Sequence, residues 1–253
     1  MKYARLGVTI DHVATLRQQR GESYPNVARA AEVALATGAH QITIHLREDR
    51  RHIQDSDLPE VHHFCKQLGQ PLNFEMGCSD EMVKKACEEK PAWVCLVPEK
   101  REERTTEGGL DVLDPKNFER VRAACETIKK KSPGTKISLF VEARAEVLEQ
   151  CLRIKADAVE IHTGEYAKDH VNGRDVSGHL KHYREGARII KAAGWGYHAG
   201  HGLTLDSLEP LLREAKFEEY NIGHWIVSEA VFLGLGPVIK EMLTLIKKYP
   251  LEG

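Results

Sequence analysis

Eight short apolar runs punctuate the chain, at residues 6–10, 41–46, 72–76, 93–97, 137–141, 158–162, 196–199 and 219–222, with stretches of helical composition between them. No other property restricts the fold as much. Strands joined through a crossover helix lie parallel to one another, so a repeated strand–helix pattern implies a parallel sheet. Eight such units in 253 residues suit a closed sheet, since a (β/α)8 barrel occupies about 250 residues as one domain. The alternative is an open doubly wound sheet. Against it, no G-x-G-x-x-G opens the helix after the first run. The expectation is an α/β chain forming a single parallel (β/α)8 TIM barrel over residues 1–253.

Helix punctuation supports the alternation. Pro25 suits a first helical turn, with good helix formers from Ala28 until Gly38 stops them. Asp114-Pro115 pairs a capping carboxylate with a first-turn proline ahead of residues 118–131, and Ser79 is placed to cap 80–90. Further helices are expected over 145–154, 186–193, 205–215, 225–233 and 237–248. The charged stretch 98–109, with hydroxyls near its tip and Gly108-Gly109 as a hinge, reads as a mobile lid. The polar stretch 165–178 reads as ordinary surface.

A net charge of -2 gives no global basic field for nucleic acid, so clustered arginines act locally. Cys65, Cys78, Cys87, Cys95, Cys125 and Cys151 form no C-x-x-C pair and no zinc-finger spacing, which fits reduced thiols in a cytoplasmic protein. No charged leader followed by an apolar segment opens the chain. No run reaches the roughly 18 apolar residues of a membrane span. Neither a metal nor a membrane partner is expected.

Barrel enzymes work at the C-terminal ends of their strands. Here those ends carry Asp11-His12, His45, Glu75, Glu99 with Thr105, Glu142 with Arg144, Glu160 with His162, Gly200-His201-Gly202 and Gly223-His224. One strand-end histidine is usually a hydrogen-bonded rim residue, and one buried glutamate is usually half of an ion pair. Their convergence at one end of nearly every strand points instead to acid–base chemistry. Glycines after the seventh and eighth runs stand where barrels bind phosphate on backbone N–H groups. Arg47, Arg50, Arg51 and His52, with Arg20, offer a second anion site, because guanidinium groups donate paired hydrogen bonds to phosphate. Two anion sites flanking acids and bases suit the condensation of two phosphorylated small molecules.

These residues also carry a family resemblance. The blocks are Ile10-Asp11-His12-x-Ala14-Thr15-Leu16-Arg17, Thr43-x-His45-Leu46-Arg47-Glu48-Asp49-Arg50-Arg51-His52 and Asn73-x-Glu75-Met76. They continue through Leu96-Val97-Pro98-Glu99-Lys100-Arg101 with Thr105-Thr106-Glu107-Gly108-Gly109, Glu160-Ile161-His162-Thr163-Gly164, Ala199-Gly200-His201-Gly202-Leu203 and Asn221-Ile222-Gly223-His224. In this order the chain resembles the pyridoxine 5'-phosphate synthase family from end to end. The resemblance implies a parallel barrel that condenses 1-deoxy-D-xylulose 5-phosphate with 3-amino-2-oxopropyl phosphate, without metal or organic cofactor, in a homo-octamer. It implies His45 and Glu75 as general bases, His201 as general acid, and Glu160 as a transition-state stabiliser. It assigns Asp11, His12, Arg47, His52 and Thr105 to the deoxyxylulose phosphate. Thr9, Arg20, Gly202, Gly223 and His224 fall to the amino-ketone phosphate. Three positions depart from the family's usual residues: Thr9 and His198 stand where asparagine is usual, and Glu229 where arginine is common. The competing readings are a metal-dependent barrel hydrolase and a phosphate-binding barrel without turnover.

Overall fold

The computed structural model describes residues 2–103, 105 and 108–251. Its strands are β1 (Arg5–Thr9), β2 (Gln41–His45), β3 (Leu72–Met76), β4 (Trp93–Leu96), β5 (Lys136–Val141), β6 (Ala158–His162), β7 (Gly196–Gly200) and β8 (Glu219–Ile222). Each pairs in parallel with the next, and β8 pairs with β1, so the sheet closes into a barrel in chain order. The expected strands match these to within a residue at either end.

The helices are α1 (Asp11–Arg20), α2 (Val27–Thr37), α3 (Asp57–Gln67), α4 (Asp80–Glu89), α5 (Pro115–Lys131), α6 (Ala145–Cys151), α7 (Gly164–Val171), α8 (Ser177–Ala192), α9 (Leu205–Glu214), α10 (His224–Leu233) and α11 (Leu235–Ile246). Asp114 caps α5 as expected, accepting the Asn117 N–H at 2.9 Å. Two other punctuation marks act differently. Pro25 lies before α2, whose cap is Asn26, accepting the Arg29 N–H at 2.7 Å. Ser79 occupies the cap position of α4 but makes no capping bond, and its buried hydroxyl has no hydrogen-bond partner. The stretch taken for surface after β6 is helix α7 and the start of α8.

The strands alternate with period two between apolar and polar residues. Leu6, Val8, Ile42, Ile44, Phe74, Tyr197 and Tyr220 are fully buried in the apolar core shared with the helices. Their neighbours in sequence are polar and meet across the barrel axis. Gln41 Nε2 donates to Glu219 Oε1 at 3.0 Å, Asn73 Nδ2 to Thr43 Oγ1 at 3.3 Å, and Asn221 Nδ2 to Glu160 Oε2 at 2.7 Å. These bonds offset much of the cost of burial, though Gln41 Oε1 and Asn73 Oδ1 have no partner, and Arg5 pairs with Glu219 at 2.9 Å. Gly7 makes room for this network: a Cβ there would lie 1.9 Å from Asn221 Oδ1. His198, one of the departing residues, is buried in this layer, 3.6 Å from Glu219.

None of the six cysteines is paired, and all but Cys87 are buried. No described helix is long and apolar enough to cross a membrane.

Candidate active site

The C-terminal strand ends surround a cavity of about 720 Å³. Of the residues to which the family resemblance gives roles, Thr9, Asp11, His12, His45, Arg47, His52, Glu75, Glu160, His201, Gly202, Gly223 and His224 line it. Two of that set do not. Arg20 is exposed at the last turn of α1. Thr105 turns its hydroxyl to Glu142 Oε1 at 3.1 Å.

One wall is a chain of carboxyl and imidazole groups. Parallel pairing places His45 beside Glu75, with Nδ1 3.8 Å from Glu75 Oε2 and Nε2 3.2 Å from Glu99 Oε1. The Asp11 carboxylate accepts the His45 backbone N–H at 2.9 Å, which fixes the strand end. Burial, and the neighbouring Glu75, push the Asp11 carboxyl well above the usual range. Burial likewise raises Glu75, against the pull of His45. Glu99 behaves differently. Burial would raise it, but the hydrogen bonds from His45 and the Glu48 N–H outweigh that and hold it below its ordinary value.

The facing wall carries His201, whose backbone is left-handed at φ 82°. Thr163 restrains it there, its hydroxyl donating to the carbonyls of Gly200 at 2.7 Å and His201 at 2.8 Å. The His201 ring lies 5.0 Å from that of His162, whose Nδ1 is 3.5 Å from Glu142. Burial, then His162 and His224, lower the His201 imidazole to about 4. Between the walls sits Glu160, raised well above its ordinary range by burial and by Glu75.

The rim gathers imidazole and guanidinium groups. His12 packs edge-on against His224 at 4.8 Å and against His52 at 6.4 Å. Burial and repulsion by His45, His12 and Arg47 lower His52 to about 4; burial and His224 lower His12. Arg47 Nε is buried without a hydrogen bond, 3.5 Å from Asp49. A phosphate there would meet that donor and reverse the repulsion among the rings. Arg50 is already engaged, donating to the carbonyls of Arg47 at 3.2 Å and Glu48 at 3.0 Å, so it holds the loop together. Arg17 likewise serves Asp57 with two bonds of 2.7 Å. Across the mouth, Gly223 sits against Thr9, where a Cβ would come within 2.8 Å of the Thr9 carbonyl.

The expected lid is partly ordered by bonds. Glu99 and Lys100 give their N–H groups to Glu103, and Gly109 gives its N–H to Glu142 at 2.8 Å. Residues 104, 106 and 107, including Thr106 and Glu107 of the expected tip, lie outside the described residues. Sequence reasoning noticed Glu99, Glu142 and His162 only as strand-end residues. The contacts of Glu99 with His45, Glu142 with His162 and His162 with His201 depend on the barrel's register, which no sequence spacing displays. Asp11, His45 and Glu75 hold ligand-type atoms within 4.8 Å of one another, a grouping that suits a divalent ion.

Comparison with known proteins agrees with the geometry. Solved structures with the same barrel include 3-keto-L-gulonate-6-phosphate decarboxylase from Vibrio cholerae O1 biovar El Tor str. N16961, at TM-score 0.64, 11% identity, and coverage of 98% of this chain and 99% of that one. Thiamine phosphate pyrophosphorylase from Pyrococcus furiosus aligns at TM-score 0.59 and 13% identity, covering 97% and 96% of the two chains. At these identities they show the fold alone. Sequence relatives are much nearer. The pyridoxine 5'-phosphate synthase of Caulobacter sp. (strain K31) is 44% identical over 250 residues, covering 98% of each chain. That of Gluconobacter oxydans (strain 621H) is 46% identical over 242 residues, covering 96% of this chain and 98% of its own. A family model matches residues 6–248, and the chain belongs to that family, described as pyridoxal phosphate biosynthesis protein PdxJ.

Proposed function

We propose that this chain is a pyridoxine 5'-phosphate synthase, which condenses 1-deoxy-D-xylulose 5-phosphate with 3-amino-2-oxopropyl phosphate to pyridoxine 5'-phosphate, phosphate and water. The observation that carries the reading is one cavity lined by His45, Glu75 and His201 together with Arg47, His52, Gly202 and Gly223, groups whose chemistry suits phosphate. Full-length kinship to proteins bearing that name supports it.

Ring formation from two acyclic ketones needs imine formation, proton removal next to a carbonyl, and loss of water and phosphate. Every step moves a proton. His45 and Glu75 remove protons; Arg47, His52, His12 and Asp11 hold the deoxyxylulose phosphate, closed in by Thr105. Thr9, Gly202, Gly223 and His224 hold the amino-ketone phosphate. His201 is neutral in the empty cavity, because it is held at about 4. It becomes a proton donor when a phosphate enters, since nearby negative charge favours the imidazolium. Glu160 answers charge developing between the walls.

The assembly is a homo-octamer and its location the cytoplasm. Support for the first is the exposed apolar end of α10, where Val231, Phe232 and Leu233 are 67%, 82% and 56% exposed. Support for the second is six unpaired thiols. Arg20, exposed on α1, completes an amino-ketone phosphate site only if chains assemble so as to bring it there.

Purified protein given both substrates without added metal is expected to form fluorescent pyridoxine phosphate. Folded protein that forms none overturns the reading and leaves a phosphate-binding barrel. His201→Ala and Glu75→Gln are each expected to lower kcat on the order of 10²-fold with the fold intact. The clustering of Asp11, His45 and Glu75 favours one second reading, a metal-dependent hydrolase. Stoichiometric zinc or iron in native protein, required for turnover, decides for it.

A further inference from the structure

We propose that Glu99 is a positioning residue for the base: it fixes the proton of the His45 ring on Nε2 and leaves the Nδ1 lone pair directed at Glu75. Glu99 Oε2 accepts the Glu48 N–H at 2.8 Å, and Oε1 accepts the Gly77 N–H at 3.2 Å. Backbone N–H groups can only donate, and a carboxyl group that accepts two of them is held as the carboxylate. A carboxylate has no proton to give. The contact of 3.2 Å between its Oε1 and His45 Nε2 is therefore a bond donated by the ring. A neutral imidazole carries one N–H, so Nδ1 bears the lone pair. That atom lies 3.8 Å from Glu75 Oε2, and Glu75 lines the cavity.

His45 and Glu75 are then one proton-sharing unit with a fixed polarity, rather than two independent bases. When a substrate C–H bond breaks, its electron pair stays on the substrate and the proton forms an N–H bond at Nδ1. The ring becomes a cation, and Glu99 faces it with a full negative charge. Glu75 stands next in line to receive the proton. Glu99 does not itself line the cavity. It also ties three strand ends together: it follows β4, accepts from Gly77 after β3, and accepts from Glu48 after β2. The orientation of the base is set by the loop after β4.

The test does not depend on turnover, although the kinetic part rests on the proposed function. Protein labelled with 15N in its imidazoles is expected to show His45 protonated at Nε2 in the resting state, with its signals assigned by their loss in His45→Gln. In Glu99→Gln the amide can donate as well as accept, so the Nδ1–H tautomer appears. A resting His45 protonated at Nδ1 overturns the proposal. In kinetics, Glu99→Gln is expected to lower kcat by roughly 10²-fold with KM little changed. Glu99→Asp, which keeps the charge, should recover part of kcat. Unchanged kcat in folded Glu99→Gln would overturn the idea too. Wild-type protein without turnover removes the proposed function and leaves the tautomer result to decide Glu99.

Discussion

Two glycines decide the geometry around His201 and beside Thr9. At Gly164 a Cβ would lie 2.6 Å from His162 Nε2 and 2.9 Å from His201 Cδ2. Gly164→Ala should therefore displace both rings, lowering kcat tenfold or more while costing about 1–3 kcal/mol of stability; kcat and the urea midpoint measured together check this. Gly223→Ala meets the backbone of Thr9 at 2.8 Å, which cannot swing away as a side chain can. Inorganic phosphate, followed by calorimetry, is expected to bind more weakly to this variant than to Gly164→Ala. The strand-end groups His45, Glu75, Glu160 and His201 were legible in sequence because each ends or follows an apolar run. The role of Glu99 was not, because its partners stand 54, 51 and 22 residues away and meet it only across neighbouring strands. Arg20 is a guanidinium candidate for phosphate in the sequence, but the helix carries it to the exposed last turn, and it does not line the cavity.

The elements were legible in proportion to how much of their sequence faces the core. Every strand was found to within a residue because alternate positions such as Ile42 and Ile44 are wholly buried. Even β7, the weakest run, has Tyr197 and Ala199 on its buried face. Helix α1 was passed over because Arg17, Gln18, Gln19 and Arg20 blur its apolar stripe, and only Asp11, Val13 and Ala14 are buried in it. Helix α7 was read as surface for the same reason, with only Tyr166 and Ala167 buried. Capping separates true from apparent punctuation. Asp114→Ala removes a bond to the Asn117 N–H and should cost about 1 kcal/mol. Ser79→Ala removes no capping bond and relieves a buried, unpartnered hydroxyl; denaturant titration should find it neutral or stabilising.

For the whole molecule, the cavity sets opposing demands on pH. His201 is held at about 4 against an ordinary 6.5, so between those values the unfolded chain takes up a proton that the folded chain refuses. Its contribution is lost as pH falls. Asp11, Glu75 and Glu160 are raised, so the folded chain keeps protons that the unfolded chain releases above their ordinary values of 3.8, 4.5 and 4.5. Their contribution is lost as pH rises. His201→Gln should therefore reduce the stability lost between about pH 7 and pH 5, and Glu160→Gln the loss on the neutral side. Urea midpoints across that range measure both slopes. Barrel closure has a consequence in time. β1 takes its last partner from β8, whose residues pair with Arg5 through Val8. A ribosome adding about 5–20 residues each second must extend the chain from β1 through β8 before that edge is covered. Until then Thr9 and His12 have no Gly223 or His224 beside them, so a chain halted before β8 lacks that side of the cavity. Of its two neighbours β1 waits longer for β8, and the cavity closes only once those two strands have met.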